Sequence, residues 1–198
     1  MERAILARHG ESVLGAEGRL NGDPTVDNPL TAGGEAQARA LAAALADVDL
    51  ELGVASEFPR TRSTLALALA RRDVPTLVMA ELNEIRFGRW EGSPFDGYLE
   101  WAWSHGPEEP CPGGGETRAD AVRRLASGFR TILARPERTV LVVGHGLALR
   151  YLLDAAEGSD PSPMLDQVPL AEPISLEAAD FRAALERLER WCRRPVFA

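Results

Sequence analysis

The chain has 198 residues, a length that fits one domain with a small elaboration, and its 45% hydrophobic content is enough to bury a sizeable core. A formal net charge of -8 excludes the basic footprint of a nucleic-acid binder, and no apolar run approaches a membrane span. All 22 basic residues are arginine, so neither a Walker A loop nor a Schiff-base enzyme can be built, although the planar guanidinium that suits phosphate is plentiful.

Met1-Glu2-Arg3 leads straight into a strand expected over residues 3–7, without a signal peptide's long apolar region, and a cytoplasmic location is the expectation. That strand runs into Arg8-His9-Gly10-Glu11. Residues 11–30, with Gly15, Gly18, Gly22, Pro24 and Pro29, read as loop. Thr31 can cap a helix through about Ala46 that turns Leu41 and Leu45 to one face. Leu52–Ala55 is a second strand, closed by Ser56, and the alanine- and leucine-rich stretch from Arg60 to Arg72 is a helix. Thr76–Met79 is a third strand, followed by Glu81 and Glu84. Residues 86–116 read as irregular and carry Phe87, Trp90, Phe95, Tyr98, Trp101 and Trp103.

A helix from about Thr117 to Ala134 places Val122, Leu125, Phe129 and Ile132 at helical spacing. Thr139–Val143 is the most β-branched strand and ends at Gly144-His145-Gly146, before a helix from Leu147 to Ala156. Residues 157–173 are proline-rich and read as a surface loop. A last helix aligns Phe181, Leu185, Leu188 and Cys192. Strands alternating with helices, without repeat or linker, predict a single α/β domain over residues 1–198: a three-layer α/β/α sandwich with a mostly parallel mixed sheet.

Ligands of open α/β sheets bind beyond the carboxyl ends of the strands. His9 and His145 both follow a strand there, the first with Arg8 beside it, and Arg60 opens a helix whose amides also favour an anion. Phosphomonoester cleavage without metal needs a nucleophile, cations around the phosphoryl oxygens and an acid for the leaving alcohol. A neutral imidazole, arginine forks and a carboxyl such as Glu84 would supply them. Other chemistries fit less well. Six residues separate Cys111 from Arg118, one more than a cysteine phosphatase requires. No Gly-x-Ser-x-Gly elbow exists, and three scattered histidines give no zinc spacing. Two cysteines in a leaderless chain are expected as reduced thiols. His105 precedes a glycine but no strand leads into it, which marks it as a surface or lid residue.

Five segments in order carry a resemblance: LARHGES, SEFPRTRST, LNEIRFGRWEG, PGGGET and VLVVGHG. Together they resemble the histidine phosphatase superfamily, in its phosphoglycerate-mutase-like branch, over residues of about 3–153. The resemblance implies His9 as the phosphorylated nucleophile, Arg8, Arg60 and His145 as the phosphate pocket, and Glu84 as acid and then base. Arg19 matches an arginine common in the family, and Gly146 adjoins the second histidine as a further substrate-binding position. It also implies the three-layer fold, no metal and no cofactor. Gly15 stands where many members have an asparagine near the phosphate, so that contact is expected to be lost or supplied elsewhere.

Residues 157–198 match no family motif; members often end in strands there, whereas the pattern in this chain reads as a loop and a helix. The expected partner is a small phosphate ester, with a homodimer left open. The leading function is a metal-independent phosphomonoesterase acting through a phosphohistidine. The alternatives are a phosphoglycerate mutase-type phosphotransferase, for which the 86–116 stretch is short, and a non-catalytic phosphoprotein-binding module, which usually lacks a histidine or the acid. Glu100, Glu108 and Glu109 make the lid acidic and weigh against substrates with several extra anionic groups.

Overall fold

The computed structural model describes residues 1–198. A five-stranded sheet has the order β3-β2-β4-β1-β5, with β1 spanning Arg3–Arg8, β2 Leu52–Ala55, β3 Thr76–Val78, β4 Thr139–Gly144 and β5 Ile174–Glu177. All neighbours run parallel except β5, which pairs antiparallel with β1.

Alternation along the central strands feeds two cores, as the period of two requires. Ala4 and Leu6 of β1, Leu52 and Val54 of β2, and Val140 and Val142 of β4 join one apolar cluster. Helices α5 (Arg118–Leu133), α6 (Gly146–Ala156) and α7 (Ala178–Trp191) cover that face with Phe129, Leu149, Leu152 and Phe181. Ile5, Ala7, Ala55, Leu141 and Val143 point the other way, onto α2 (Ala32–Ala44) and α3 (Pro59–Ala68). The result is the expected three-layer sandwich. Gly53 has a packing reason: a Cβ there would stand 2.7 Å from a Leu69 methyl of the close-packed helix layer.

Most predicted elements form, with shifts at their ends. Thr31 caps α2, its hydroxyl accepting from the Gly34 amide at 2.9 Å, and Thr117 caps α5 through the Asp120 amide at 2.9 Å. Helix α3 stops at Ala68, four residues short of Arg72. There Arg72 turns back and donates to the carbonyls of Leu45, Ala46 and Val48 at the end of the α2 segment.

Three regions correct the sequence reading. A four-residue helix, α1 (Val13–Ala16), interrupts the expected 11–30 loop. The 86–116 stretch is not wholly irregular: a 3₁₀ turn covers Gly88–Trp90 and helix α4 covers Phe95–Ser104, started by Pro94 and burying Tyr98 and Ala102. The C-terminal segment holds strand β5 as well as the expected helix. Its four residues are too few for a periodic signal, and β5 is a strand because β1 has a free edge to pair. Cys111 and Cys192 are both free.

Candidate active site

The register of β1 on β4 builds the centre of the site. Ala7 pairs with Val143 and Arg8 with Gly144, and the His9 amide donates to the Gly144 carbonyl at 3.0 Å. His9 and His145 therefore leave adjacent strands at the same level, with ring centroids 5.4 Å apart. Gly10 is required by close approach, since a Cβ there would stand 2.5 Å from the Gly34 carbonyl oxygen in the first turn of α2.

Hydrogen bonds assign the tautomers. His9 Nδ1 lies 2.8 Å from the Gly10 carbonyl, which can only accept, so the proton sits on Nδ1. The Nε2 lone pair accepts from Arg60 Nε at 3.1 Å. His145 is turned the opposite way: its Nδ1 accepts from Arg60 Nη2 at 3.2 Å, so its Nε2 carries the proton toward the Ser56 hydroxyl at 2.8 Å. Ser56 is in turn bonded to Thr61 at 2.8 Å. Burial first, and the Arg60 charge second, hold both imidazoles well below the ordinary value of 6.5, so both are neutral near pH 7.

Arg60 is the hub. It is buried, touches both histidines, donates to the side chain of Asn21 and to its carbonyl at 3.0 Å, and lies 4.2 Å over the Phe58 ring. Burial lowers it to about 10, which leaves it charged. Arg8 donates through Nη1 to the Val168 carbonyl at 3.1 Å, while its buried Nε has no partner. Burial lowers Arg8 as well.

Glu84 reaches the same centre from the turn after β3. Its Oε1 accepts from the Ile85 amide at 2.9 Å and its Oε2 is 3.9 Å from His145 Nδ1, a contact of a neutral ring rather than an ion pair. Burial raises the carboxyl above its ordinary 4.5 and favours the protonated form. The turn is clamped from behind. Arg124, paired with Glu116 at 2.8 Å, donates to the carbonyls of Glu81 at 3.0 Å and Asn83 at 2.9 Å. Glu91 accepts from the amides of Gly22 and Phe87, both at 2.8 Å, and so ties the Asn21 loop to the Glu84 segment.

These groups open into a cavity of about 430 Å³, lined by Arg8, His9, Arg60, Glu84 and Gly146 and walled by α4 and the 163–168 loop. His145 lies just behind, fully buried. Gly146 starts α6, and a Cβ on it would stand 3.6 Å from the Arg8 guanidinium carbon. Arg19 also lines the cavity, but at the rim: its Nε donates to the Gly92 carbonyl at 2.6 Å and its Nη1 faces Glu17 at 3.6 Å. Of the catalytic and substrate-binding residues expected from sequence, only Arg19 lies away from the cluster. Arg62 is exposed, and His105 stacks on Trp101 at 4.8 Å, outside the cavity lining. A larger cleft of about 890 Å³ between α2 and α3 contains neither histidine.

Sequence reasoning missed Asn21 and Asn28, which are buried beside Gly15 on the cavity wall and joined at 3.2 Å. Asn21 ahead of Gly22 carried only a turn signal. It missed Arg118 and Leu165 as cavity residues too: Arg118 follows the PGGGET turn but carried no signal of its own, and the 163–168 loop has no motif, whereas Tyr98 belongs to the aromatic cluster read chiefly as core and lid packing and only secondarily as shaping the pocket. No group of three His, Cys, Asp or Glu side chains is placed to hold a metal ion.

A neutral imidazole lone pair, two arginine forks and a carboxyl biased toward protonation, within one cavity, are the parts of phosphoryl transfer. The sequence model of the histidine phosphatase superfamily (branch 1) matches residues 4–193. The chain belongs to the histidine phosphatase superfamily. The match runs through the C-terminal segment, where β5 and α7 carry no motif of their own. This phosphatase is 31% identical over 162 residues to the uncharacterized phosphatase PhoE of Bacillus subtilis, covering 81% of this chain and 80% of the relative. It is 27% identical over 190 residues to 2,3-bisphosphoglycerate-dependent phosphoglycerate mutase 2 of Gloeobacter violaceus, covering 89% and 86%. The crystal structure of the alpha-ribazole phosphatase from Shigella flexneri superposes with a TM-score of 0.75 at 29% identity, covering 87% of this chain and 89% of that one. The enzyme has no helix long and apolar enough to cross a membrane.

Proposed function

We propose that this phosphatase is a metal-independent phosphomonoesterase that hydrolyses a small phosphorylated metabolite through a phosphohistidine on His9. The observation that carries the reading is the His9 tautomer, with its proton tied to the Gly10 carbonyl and its Nε2 lone pair facing the cavity beside Arg60. Nε2 attacks phosphorus, and the bond from phosphorus to the alcohol oxygen breaks. Arg8 and Arg60 hold the phosphoryl oxygens, Arg60 exchanging its bonds to the two rings for bonds to the substrate, and His145 joins them once its Nδ1 is released by Arg60 and takes the ring proton, the Ser56 hydroxyl then donating to Nε2. Glu84 gives its proton to the departing alcohol, then takes one from the water that attacks phosphorus as the bond from phosphorus to His9 Nε2 breaks, which frees the ring and releases phosphate. Arg19, exposed at the rim, contributes positive field to substrate entry.

The test is hydrolysis of p-nitrophenyl phosphate with excess chelator present. Undiminished turnover is the expected result, and loss of activity restored by one divalent metal contradicts the reading. The relative named as a mutase favours one alternative, return of the phosphoryl group to a sugar acid. Conversion of 3-phosphoglycerate to 2-phosphoglycerate faster than its hydrolysis would establish that alternative.

A further inference from the structure

One arginine in the cavity is not used by the phosphoryl chemistry. Arg118 opens α5, is only 5% exposed, and lies on the wall shared with α4 and the 163–168 loop. Its Nε donates to the Tyr98 hydroxyl at 3.3 Å, and its Nη1 to the Tyr151 hydroxyl at 2.9 Å and the Pro163 carbonyl at 3.3 Å. All these partners are neutral. Every ion pair within 4.0 Å joins other residues, and Asp166 in the same lining forms none with it. Buried charges are ordinarily paired with an opposite charge, so a guanidinium in a cavity wall whose company is two aromatic rings, Tyr98 at 5.8 Å and Phe197 at 5.7 Å, and no carboxylate is unusual.

Two donors there are left over. Arg118 Nη2 makes no hydrogen bond to the protein, yet it is not sealed from solvent. The Tyr98 hydroxyl accepts from Arg118 and donates to no protein acceptor, whereas the Tyr151 hydroxyl spends its proton on the Ser162 carbonyl at 3.2 Å. Burial pushes the Tyr98 phenol up to about 12, so its proton stays in place near pH 7. The lid acids that weighed against anionic substrates do not oppose this corner: Glu100, Glu108 and Glu109 are exposed and outside the cavity lining.

We propose that Arg118 Nη2 and the Tyr98 hydroxyl form a two-donor subsite for a carboxylate on the alcohol part of the substrate, so that the enzyme selects phosphomonoesters of carboxylate-bearing alcohols. The proposal rests on the phosphatase reading above and deepens it. Two donors from adjacent side chains match the two oxygens of one carboxylate, and both bonds are charge-assisted. Phe95, Leu99 and Trp103 of α4 line the same cavity and give the carbon frame an apolar surface.

The experiment compares kcat/KM for 3- and 4-carboxyphenyl phosphate with the matching carbamoylphenyl phosphates, which keep the shape but lose the charge and, being slightly better leaving groups, bias the comparison against the expected preference. Phenyl phosphate is the reference. The expected result is a preference for the carboxylate in at least one pair of roughly tenfold to a hundredfold, the range of a hydrogen bond to a charged group. Tyr98→Phe is expected to reduce the ratio and Arg118→Met to bring it near one. Should Arg118→Met not fold, the wild-type and Tyr98→Phe ratios decide. Ratios near one in both wild-type pairs, with phenyl phosphate turned over, overturn the subsite and leave the phosphatase standing. A preference that survives in both variants also overturns the subsite. Absence of turnover with all five esters overturns the phosphatase reading, and the subsite with it.

Discussion

On one side of the cavity, His9 and His145 stand at the ends of paired strands, and each ring nitrogen has a named partner in Gly10, Arg60 or Ser56. On the other side, α4 and the 163–168 loop meet through the Arg118 and Tyr151 side chains, with donors left over. The first wall is fixed by backbone register, so its geometry cannot shift without moving the central sheet. The second is held by side chains alone and can differ without disturbing the core. On the proposed reading the difference separates two tasks: the strand-end wall does the chemistry, and the opposite wall chooses what the phosphate is attached to.

Substitutions on the two walls should therefore differ in kind as well as size. The largest effect is expected from His9→Ala, which removes the proposed attacking atom: kcat should fall by about 10⁴ or more for every ester. A loss below about tenfold would mean that another group attacks phosphorus.

Glu84→Gln should come next, at about 10² to 10⁴ in kcat for alkyl esters and far less for p-nitrophenyl phosphate, whose leaving group needs no proton. Its pH profile sharpens the point. The proposed role of His9 requires a neutral ring, and burial holds it well below 6.5, so the His9 limb of the profile is a fall in acid as the ring takes a proton. Glu84 must be protonated, and burial raises it above 4.5, so activity on alkyl esters should also fall on the alkaline side as that proton leaves. The amide has no proton to lose, and the alkaline limb should vanish in Glu84→Gln; its persistence would assign the acid elsewhere. The smallest effect belongs to the second wall, where Tyr98→Phe should change the carboxylate preference and little else that p-nitrophenyl phosphate can report.

The same division explains what could be read before the fold was known. The strand-end wall was legible because a short apolar strand, a functional side chain and a glycine follow one another in sequence, as in Val143-Gly144-His145-Gly146. Arg60 was legible as a residue at a helix start, but its contact with both rings was not, since that depends on how α3 packs on the sheet. The second wall was not legible. Helix α4 is held among Phe87, Tyr98 and Trp101, an aromatic cluster that gives no clear periodicity. Strand β5 takes its partner from an edge of β1 that is distant in sequence. Asn21 and Asn28 join Arg60 and Ser12 through side-chain bonds between loops, which no local pattern encodes.

The most direct measurement is to quench the enzyme during turnover of a phosphate ester, map any phosphorylated peptide by mass spectrometry, and test the adduct's lability. The expected result is one phosphoryl group on His9, stable in base and lost in acid, and absent from His9→Ala. An adduct on another residue, or one that survives acid and is lost in base, would contradict the account.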